Sequence, residues 1–333
     1  MEIKTYQPDA SATELVPLLR EKYGKFKNLE YFLDDFGKAF SFCIDNENIV
    51  FRPLAGYDNG KITAHIALIR DKRLPSGEAF FGFLEVPEDV STFRLMWESL
   101  LEEARKEGVS VLKGPVNGSI WHQYRCIKET DGSEFFKTEL FCEPYYYEYL
   151  RSAAPTSEIN YYSAYRERFD VVLQVAEDAY GKLVTAGFSI EEKQRVTLAE
   201  MRTIAEISKK VFHISWGYTE LSEQEFLQLY SSEKLVAHLN KLYFLYRGDS
   251  IIGFFGTLKE DDRTLICKTI CVLPEYQGLG LGNALAYKVH LDAHGEGLKK
   301  ILYVLIREGN NIKNFPKEDA VIFRRYSAFE FRI

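Results

Sequence analysis

The sequence predicts a mixed α/β protein of two similar domains, each a mainly antiparallel sheet flanked by helices. Its 333 residues are about the length of two ordinary domains. An order of strand, proline, helix and strand occurs around Pro87 and again around Pro274, 187 residues later, and only the second occurrence has a glycine-rich segment after the strand. We therefore predict domains at residues 1–168 and 169–333. Two unrelated mixed domains that share this order by chance are the alternative.

The elements of the first copy follow from hydrophobic periodicity. The apolar runs ITAHIALI, from Ile62, and AFFGFLEV, from Ala79, predict two strands. A helix is predicted from Ser91 to about Lys106, because Gly108 supplies a typical helix stop. VSVLK, from Val109, is the strand that follows it. This order matches the second copy, except that five residues are missing where the glycine-rich segment would stand.

A tyrosine-rich stretch separates the two copies. EPYYYEYL and NYYSAY place most of its tyrosines between residues 145 and 165, and a helical pattern follows from Val171 to about Ala186. Tyrosine combines an apolar ring with a polar hydroxyl, and it is enriched at interfaces. The stretch 145–165 therefore suggests an interface.

The second copy begins with two helices and a three-stranded meander. Helices are predicted from Leu198 to Phe212 and from Ser222 to Leu239. Strands LYFLYR, IIGFFGTL and LICKTICVL begin at Leu242, Ile251 and Leu265. Short polar turns separate the strands, as antiparallel hairpins require.

A parallel connection completes the second copy. The pattern predicts a helix from about Gly280 to His294 and the strand ILYVLI from Ile301. A strand, a helix and a further strand in this order form a crossover between parallel strands.

Charge and cysteine usage exclude several classes of function. The formal net charge is -7 and the isoelectric point is about 5.6, which argues against nucleic acid as the main partner. The five cysteines include no Cys-x-x-Cys pair, so neither a disulfide framework nor a zinc site is predicted. His290 and His294 have helical spacing, but Leu291 stands where a metalloprotease needs glutamate. We predict no metal site.

Hydropathy gives no sign of a membrane protein. The longest apolar runs are about as long as the eight residues from Ile251 to Leu258, far short of the roughly 18 to 20 that a membrane helix needs. The first ten residues have no cationic stretch that leads into an apolar one, as a signal peptide would. The expectation is a cytoplasmic protein without membrane contact.

The segment between Val272 and Asn283 carries the strongest chemical signal. Gly278, Gly280 and Gly282 lie between a predicted strand and a predicted helix. Glycines there let backbone N–H groups approach an anion at the positive end of the helix dipole, so phosphate is the expected ligand. The segment lacks the Gly-Lys-Ser/Thr of a P-loop. It also lacks the last glycine of a dinucleotide fingerprint, since Asn283 or Leu285 stands there.

This segment resembles the acetyl-CoA motif of the GNAT N-acetyltransferase superfamily, Gln/Arg-x-x-Gly-x-Gly/Ala. Gln277, Gly280 and Gly282 match it, and Val272 and Pro274 match its frequent lead-in. The resemblance extends from about residue 188 to the C-terminus, and it implies that acetyl-CoA or another acyl-CoA is the cosubstrate. The residues that it assigns to the CoA pyrophosphate are Gln277, Gly278, Leu279, Gly280, Leu281, Gly282 and Asn283.

The resemblance also implies a pantetheine channel between two splayed strands. Cys271, Val272 and Leu273 would form its wall, and an unpaired backbone N–H there would polarise the thioester carbonyl. Asn310 and Asn311 both qualify as the asparagine that often contacts the cofactor after the next strand. In the first copy Asn117 has the corresponding position, and it would line an acceptor cleft or a structural loop.

The sequence marks the general acid and the general base of the reaction less clearly than it marks the cofactor loop. Many superfamily members carry a tyrosine as the acid about eight residues after that asparagine, but residues 311–322 contain none. Tyr326 is the nearest candidate downstream, with a sheet residue as the alternative. Glu308 is the best-placed base by sequence, and an ordinary surface glutamate is its alternative.

Acceptor contacts are expected between the first two helices of the second copy, where His213, Trp216 and Tyr218 cluster. A packed aromatic turn would explain this cluster as well. The predicted function is acyl-CoA-dependent N-acyl transfer to a small-molecule or peptide amine. A non-catalytic acyl-CoA sensor or interaction protein is the alternative, because the usual tyrosine and a strand carboxylate are missing.

Overall fold

A computed structural model of the chain describes residues 1–7, 12–230, 239–309 and 319–333. Its α-helices, numbered in chain order, are α1 (Val16–Tyr23), α2 (Leu29–Asp45), α3 (Val90–Lys106), α4 (Tyr145–Ser152), α5 (Asp170–Thr185), α6 (Leu198–Phe212), α7 (Glu223–Tyr230) and α8 (Leu281–Gly295).

The β-strands form the larger part of the architecture. In chain order they are β1 (Glu2–Thr5), β2 (Ile49–Asp58), β3 (Lys61–Asp71), β4 (Glu78–Glu85), β5 (Val111–Gly114), β6 (Val116–Asn117), β7 (Gln123–Tyr124), β8 (Cys126–Thr130), β9 (Ser157–Arg166), β10 (Phe188–Lys193), β11 (Leu239–Arg247), β12 (Ser250–Lys259), β13 (Thr264–Val272), β14 (Lys300–Arg307) and β15 (Val321–Arg332).

The described residues form two units by their contacts. The first consists of Met1–Asn160, Trp216–Thr219 and Arg324–Ile333, and the second of Tyr161–Ser215 and Glu220–Phe323. The first unit thus includes most of the C-terminal strand, and the second includes the last part of β9. The domain boundary between residues 168 and 169 stays a prediction.

The sheet of the first unit has the order β1-β2-β3-β4-β5-β15, and β8 also pairs with β15. All of these pairs are antiparallel except β4 with β5. Aromatic side chains fill its core: the ring of Phe32 stacks on Phe141 at 4.5 Å, and Phe40 meets Phe83 edge to face at 5.0 Å. Helix α3 begins at a capped end, because the Asp89 carboxylate accepts hydrogen bonds from the backbone of Ser91 and Thr92.

The sheet of the second unit has the order β10-β11-β12-β13-β14-β9, and only β13 and β14 run parallel. Helix α6 has the predicted bounds. A capping box fixes its start, since Thr197 and Glu200 each bond the other's backbone N–H. Of the second predicted helix, the structure describes Glu223–Tyr230, and residues 231–238 lie outside the described part.

The predicted fold class is confirmed, whereas the tyrosine-rich stretch contains regular elements that periodicity missed. It contributes α4 and β9, and Tyr146, Tyr147 and Tyr161 are buried. Packing therefore accounts for these three rings. The interface suggested for residues 145–165 stays a prediction that rests on the other tyrosines.

Candidate functional site

The two parallel strands of the second unit separate along their length. Pairing between β13 and β14 runs from Thr264 with Lys300 to Cys267 with Tyr303. Beyond that point β13 continues to Val272, and no pairing with β14 occurs among the described residues. Strand β14 departs at Leu305, whose φ of 58° interrupts its extended backbone. The edge of β13 after Cys267 is therefore open.

The register of β13 shows which backbone groups face this open edge. The N–H of Leu273 donates to the carbonyl of Ile252, at 2.9 Å, in the direction of β12. Successive residues of an antiparallel pair alternate in direction. Ile270 and Val272, which lie opposite Phe255 and Gly253, therefore point their N–H and C=O groups away from β12. These N–H groups are the hydrogen-bond donors that the open edge offers.

The predicted wall residues line the end of this strand. Cys271, Val272 and Leu273 are all less than one tenth exposed. Burial raises the pKa of the Cys271 thiol, so this group stays neutral and acts as an apolar surface. The Gln277 side chain donates to the Val272 carbonyl at 2.9 Å and ties the following loop to the strand.

The glycine-rich loop has an unusual backbone. A short 3-10 turn, Pro274–Tyr276, leads into Gly278 and Gly280, whose φ angles are 82° and 77°. Only glycine adopts such angles without strain. From Gly278 to Gly282, the backbone N–H groups donate no hydrogen bond to any described residue. The loop thus presents a row of backbone hydrogen-bond donors, and residues 278–280 are exposed to solvent.

Helix α8 begins inside this loop without a side-chain cap. Gly280 is its N-cap, and the carbonyl of Gly280 accepts from the backbone of Asn283 and Ala284. A Cβ built on Gly282 would lie 3.8 Å from Cδ1 of Ile270, so the first turn rests against the open strand. Backbone N–H donors, the positive end of a helix and small residues lie together here. This combination fits the CoA pyrophosphate.

A buried histidine anchors the far part of α8. One ring nitrogen of His290 lies 2.6 Å from the Ala286 carbonyl, and the other contacts the hydroxyl of Tyr303 on β14. Burial, and secondarily the charge of Arg166, lowers the pKa of His290 to about 4. The imidazole is therefore neutral and holds the helix on the sheet. Among the described residues, no three His, Cys, Asp or Glu side chains gather as metal ligands.

The predicted base and the two predicted asparagines follow β14. Glu308 is exposed, in a turn directly after Arg307 and in the same unit as the loop. Asn310 and Asn311 lie outside the described residues. The roles of all three stay predictions.

Tyr326 belongs to the first unit, whereas the loop belongs to the second. It is 2% exposed, and its hydroxyl donates to Glu139 Oε1 at 2.6 Å. The other oxygen of Glu139 accepts from Arg324 at 2.5 Å. This geometry gives Tyr326 the structural role that the sequence left open. Its assignment as the acid stays a prediction.

The predicted acceptor cluster is divided between the units. His213 is exposed in the second unit and contacts the carbonyl of Lys210 at 2.8 Å. Trp216 and Tyr218 belong to the first unit. There the indole N–H of Trp216 donates to Glu330 at 2.8 Å, and the Tyr218 ring lies 5.9 Å from that of Trp121. The structure therefore shows a packed aromatic turn, and acceptor contact stays a prediction.

Sequence reasoning missed Ile270 as a site residue. Its N–H direction depends on the register between β12 and β13, which no motif encodes. Only the general expectation of an unpaired N–H on this strand pointed toward it.

The chain is similar in sequence or in fold to known GNAT proteins. Residues 201–314 match the model of the Acetyltransferase (GNAT) family. A solved tandem GNAT protein from the clavulanic acid biosynthesis pathway has a TM-score of 0.62 at 10% identity, covering 99% of this chain and 98% of that one. A GCN5-related N-acetyltransferase from Anabaena variabilis has a TM-score of 0.57 at 13% identity, and the match covers 99% of this chain and 72% of that one. Another from Sphaerobacter thermophilus has a TM-score of 0.52 at 10% identity, and the match covers 99% of this chain and 95% of that one.

The chain is thus similar in fold to tandem GNAT proteins. Its fold is that of the GNAT superfamily, with a second GNAT-like region in the N-terminal part. The predicted superfamily resemblance is confirmed at this level. No curated protein shows significant sequence similarity to the chain. None of the described helices combines the length and the apolarity that a membrane crossing requires.

Proposed function

We propose that the second unit is an acyl-CoA-dependent N-acyltransferase. One observation carries the proposal: five successive residues, Gly278–Gly282, have backbone N–H groups without a partner among the described residues, next to a strand edge that is also open. An anion site that continues into a channel fits a pyrophosphate followed by a pantetheine arm. The GNAT fold and the match over residues 201–314 support acyl transfer in general.

The residues of this chain would act by binding, orientation and charge stabilisation. The loop N–H groups would hold the pyrophosphate, and the edge of β13 would align the arm. The N–H group of Ile270 or that of Val272 would donate to the thioester oxygen as negative charge develops there. Bound acyl-CoA supplies an activated acyl group. Glu308 would take the proton from the attacking amine, directly or through water, and proximity would supply much of the rate. The amine nitrogen would form its bond to the acyl carbon as the carbon–sulfur bond breaks, and the released thiolate would leave as the anion or take a proton from solvent.

Gly280→Ala tests the proposed site in the full chain. The new Cβ meets nothing within 4 Å, but the residue has a φ of 77°, so we expect the free energy of unfolding to fall by about 1 to 2 kcal/mol. The Cβ would stand where the loop has to approach the pyrophosphate, so we expect acyl-CoA binding to weaken about tenfold or more. Calorimetry with acetyl-CoA and longer acyl-CoAs measures this effect.

Gly297→Ala is the matched control, because it adds the same methyl at an exposed glycine of positive φ, 75°, just after the same helix, where nothing lies within 4 Å. Its affinity should equal that of the wild type. Absence of binding by the wild type at high micromolar concentrations of every acyl-CoA would refute the proposed function. Equal affinity in both variants would make the loop structural.

A non-catalytic acyl-CoA sensor is the second candidate. The observation that favours it is the burial of Tyr326 against Glu139 in the first unit, which leaves the proposed mechanism without an assigned acid. A sensor would bind acyl-CoA and release no free thiol above the hydrolysis background with any amine of a broad library. Sustained thiol release with one amine, with the acylated amine identified by mass spectrometry, would exclude this candidate.

A further inference from the structure

The first unit has its own counterpart of the open strand edge. Among the described residues of this unit, the parallel pair is β4 with β5, joined from Glu78 with Val111 to Phe80 with Lys113. Strand β4 then continues to Glu85, as β13 continues to Val272 in the second unit. The same architecture therefore produces a second position where an acyl-CoA arm would lie.

A side-chain carbonyl occupies this position in the first unit. The N–H of Phe83 donates to Oδ1 of Asn117 at 2.6 Å, and the Phe83 carbonyl contacts a ring nitrogen of His65 at 2.7 Å. Asn117 is 1% exposed and His65 is fully buried. The carboxamide oxygen of Asn117 thus accepts from the Phe83 N–H, whereas N–H groups on the open edge of β13 have no such acceptor among the described residues.

Backbone fills the space between the strands as well. A Cβ built on Gly82 would lie 1.9 Å from the carbonyl oxygen of Val116, so the segment from Pro115 to Asn117 passes directly against β4. No arm of pantetheine thickness fits between groups in such contact.

The end of β4 is closed by three side chains. The N–H of Val86 donates to the hydroxyl oxygen of Tyr146 at 3.1 Å. Its carbonyl accepts from the Tyr145 hydroxyl at 2.8 Å and from Lys22 Nζ at 2.7 Å. Val86 corresponds to Leu273, which leads into the glycine-rich loop of the second unit.

The helix that follows already carries an anion. Asp89 caps α3, and its carboxylate accepts from the N–H groups of Ser91, at 3.2 Å, and Thr92, at 2.9 Å. Hydrogen bonds from the Thr92 hydroxyl, first, and from these N–H groups lower the pKa of Asp89, so the carboxylate is charged. Helix α8 has no such cap. A carboxylate therefore satisfies the helix end that would otherwise attract phosphate.

We propose that the first unit is closed to acyl-CoA by its own side chains, which take the places of the ligand's groups: Asn117 for a carbonyl and Asp89 for a phosphate. The chain consequently binds one acyl-CoA, and only in the second unit. The identity of the ligand rests on the proposed function, but the closure of the first unit does not.

Binding stoichiometry and hydrogen exchange on the full-length wild type test this inference. Titration with acetyl-CoA should give one site per chain, and Gly280→Ala should weaken binding at that site without revealing another. On binding, exchange should slow in peptides that cover residues 270–285 and stay unchanged in those that cover residues 78–92. Two sites per chain, a site of unchanged affinity in Gly280→Ala beside the weakened one, or slowed exchange at 78–92 would overturn the inference and leave the proposed function intact.

Asn117→Leu separates the two proposals if no acyl-CoA binds. This substitution removes the acceptor for the Phe83 N–H at similar volume, so we expect faster exchange at residues 80–86 than in the wild type. Asn117→Asp keeps an acceptor oxygen and should retain most of the protection. Equal exchange in Asn117→Leu and the wild type would overturn the closure, whereas absence of acyl-CoA binding alone would overturn only the proposed function.

If Asn117→Leu does not fold, exchange of the Phe83 amide in the folded wild type decides: protection comparable to that of hydrogen-bonded residues in β3 supports the closure, and rapid exchange refutes it.

Discussion

At the scale of single residues, chemistry depends on whether a polar group already has a partner. The sequence predicts that Tyr326 and Gly278 both belong to a functional site. The hydroxyl of Tyr326 is buried and bonded to Glu139, whereas the N–H of Gly278 has no partner among the described residues. The glycine therefore remains a candidate for ligand binding, and the tyrosine has a structural explanation.

Tyr326→Phe distinguishes the two roles of this residue. Because the substitution leaves the buried carboxylate of Glu139 with one donor fewer, we expect the free energy of unfolding to fall by about 1 to 3 kcal/mol and kcat to stay unchanged. Urea unfolding and a thiol-release assay measure the two quantities. Tyr147→Phe, another largely buried tyrosine of the first unit, is a control for loss of a hydroxyl. A large fall in kcat with unchanged stability would instead support Tyr326 as the acid.

At the scale of elements, helix α8 connects the loop to the core. Its first turn is uncapped and rests on Ile270, and its buried His290 contacts Tyr303 on β14. A neutral imidazole thus holds to the sheet the same helix that begins in the loop, nine residues after Leu281. The predicted bounds of this helix were correct to within one residue at each end, because glycines mark both ends.

Acid should destabilise the protein through this anchor. The pKa of His290 is about 4 in the folded chain, below the ordinary value near 6.5 that applies on unfolding. Above pH 6.5 the imidazole is neutral in both states. Between pH 6.5 and 4 the unfolded state binds the additional proton, so stability falls as the pH decreases, by about 2 kcal/mol at pH 5.

Urea unfolding at pH 7.5 and pH 5 checks this expectation. His290→Phe should be less stable at pH 7.5, since Tyr303 loses its partner, but it should lose less stability between the two pH values than the wild type does. His213→Phe, at an exposed position, is the control and should keep the wild-type dependence. An identical dependence in His290→Phe would contradict the assignment.

At the scale of the whole molecule, residues distant in sequence complete each unit. Residues from Arg324 onward pair with β5 and β8 in the first unit, and residues of β9 from Tyr161 pair with β14 in the second. Each sheet therefore needs a strand that sequence order alone would assign to the other half.

Deletion of residues 324–333 should unfold the first unit. The segment contributes Phe329, fully buried, and Phe331, 4% exposed, to that unit. Each buried aromatic is worth about 3 to 5 kcal/mol, against a total stability of about 5 to 15 kcal/mol. Hydrogen exchange across residues 49–85 measures the loss. Deletion of residues 2–5, a mostly exposed edge strand, should change that protection only at residues 54–57, with which it pairs. Native protection after the C-terminal deletion would show that the first unit is complete without it.

The sequence alone determined local features: four elements of the first copy, most of those of the second, the loop from Gln277 to Gly282, and the superfamily resemblance. These depend on periodicity, caps and glycines within a few residues of each other. Only the tertiary structure decided which strands pair, that Trp216, Tyr218 and Tyr326 belong to the first unit, and that Asn117 closes its strand edge. The reason is physical. A strand satisfies its hydrogen bonds with a partner at any distance along the chain, so burial across the whole fold, and not local sequence, selects that partner.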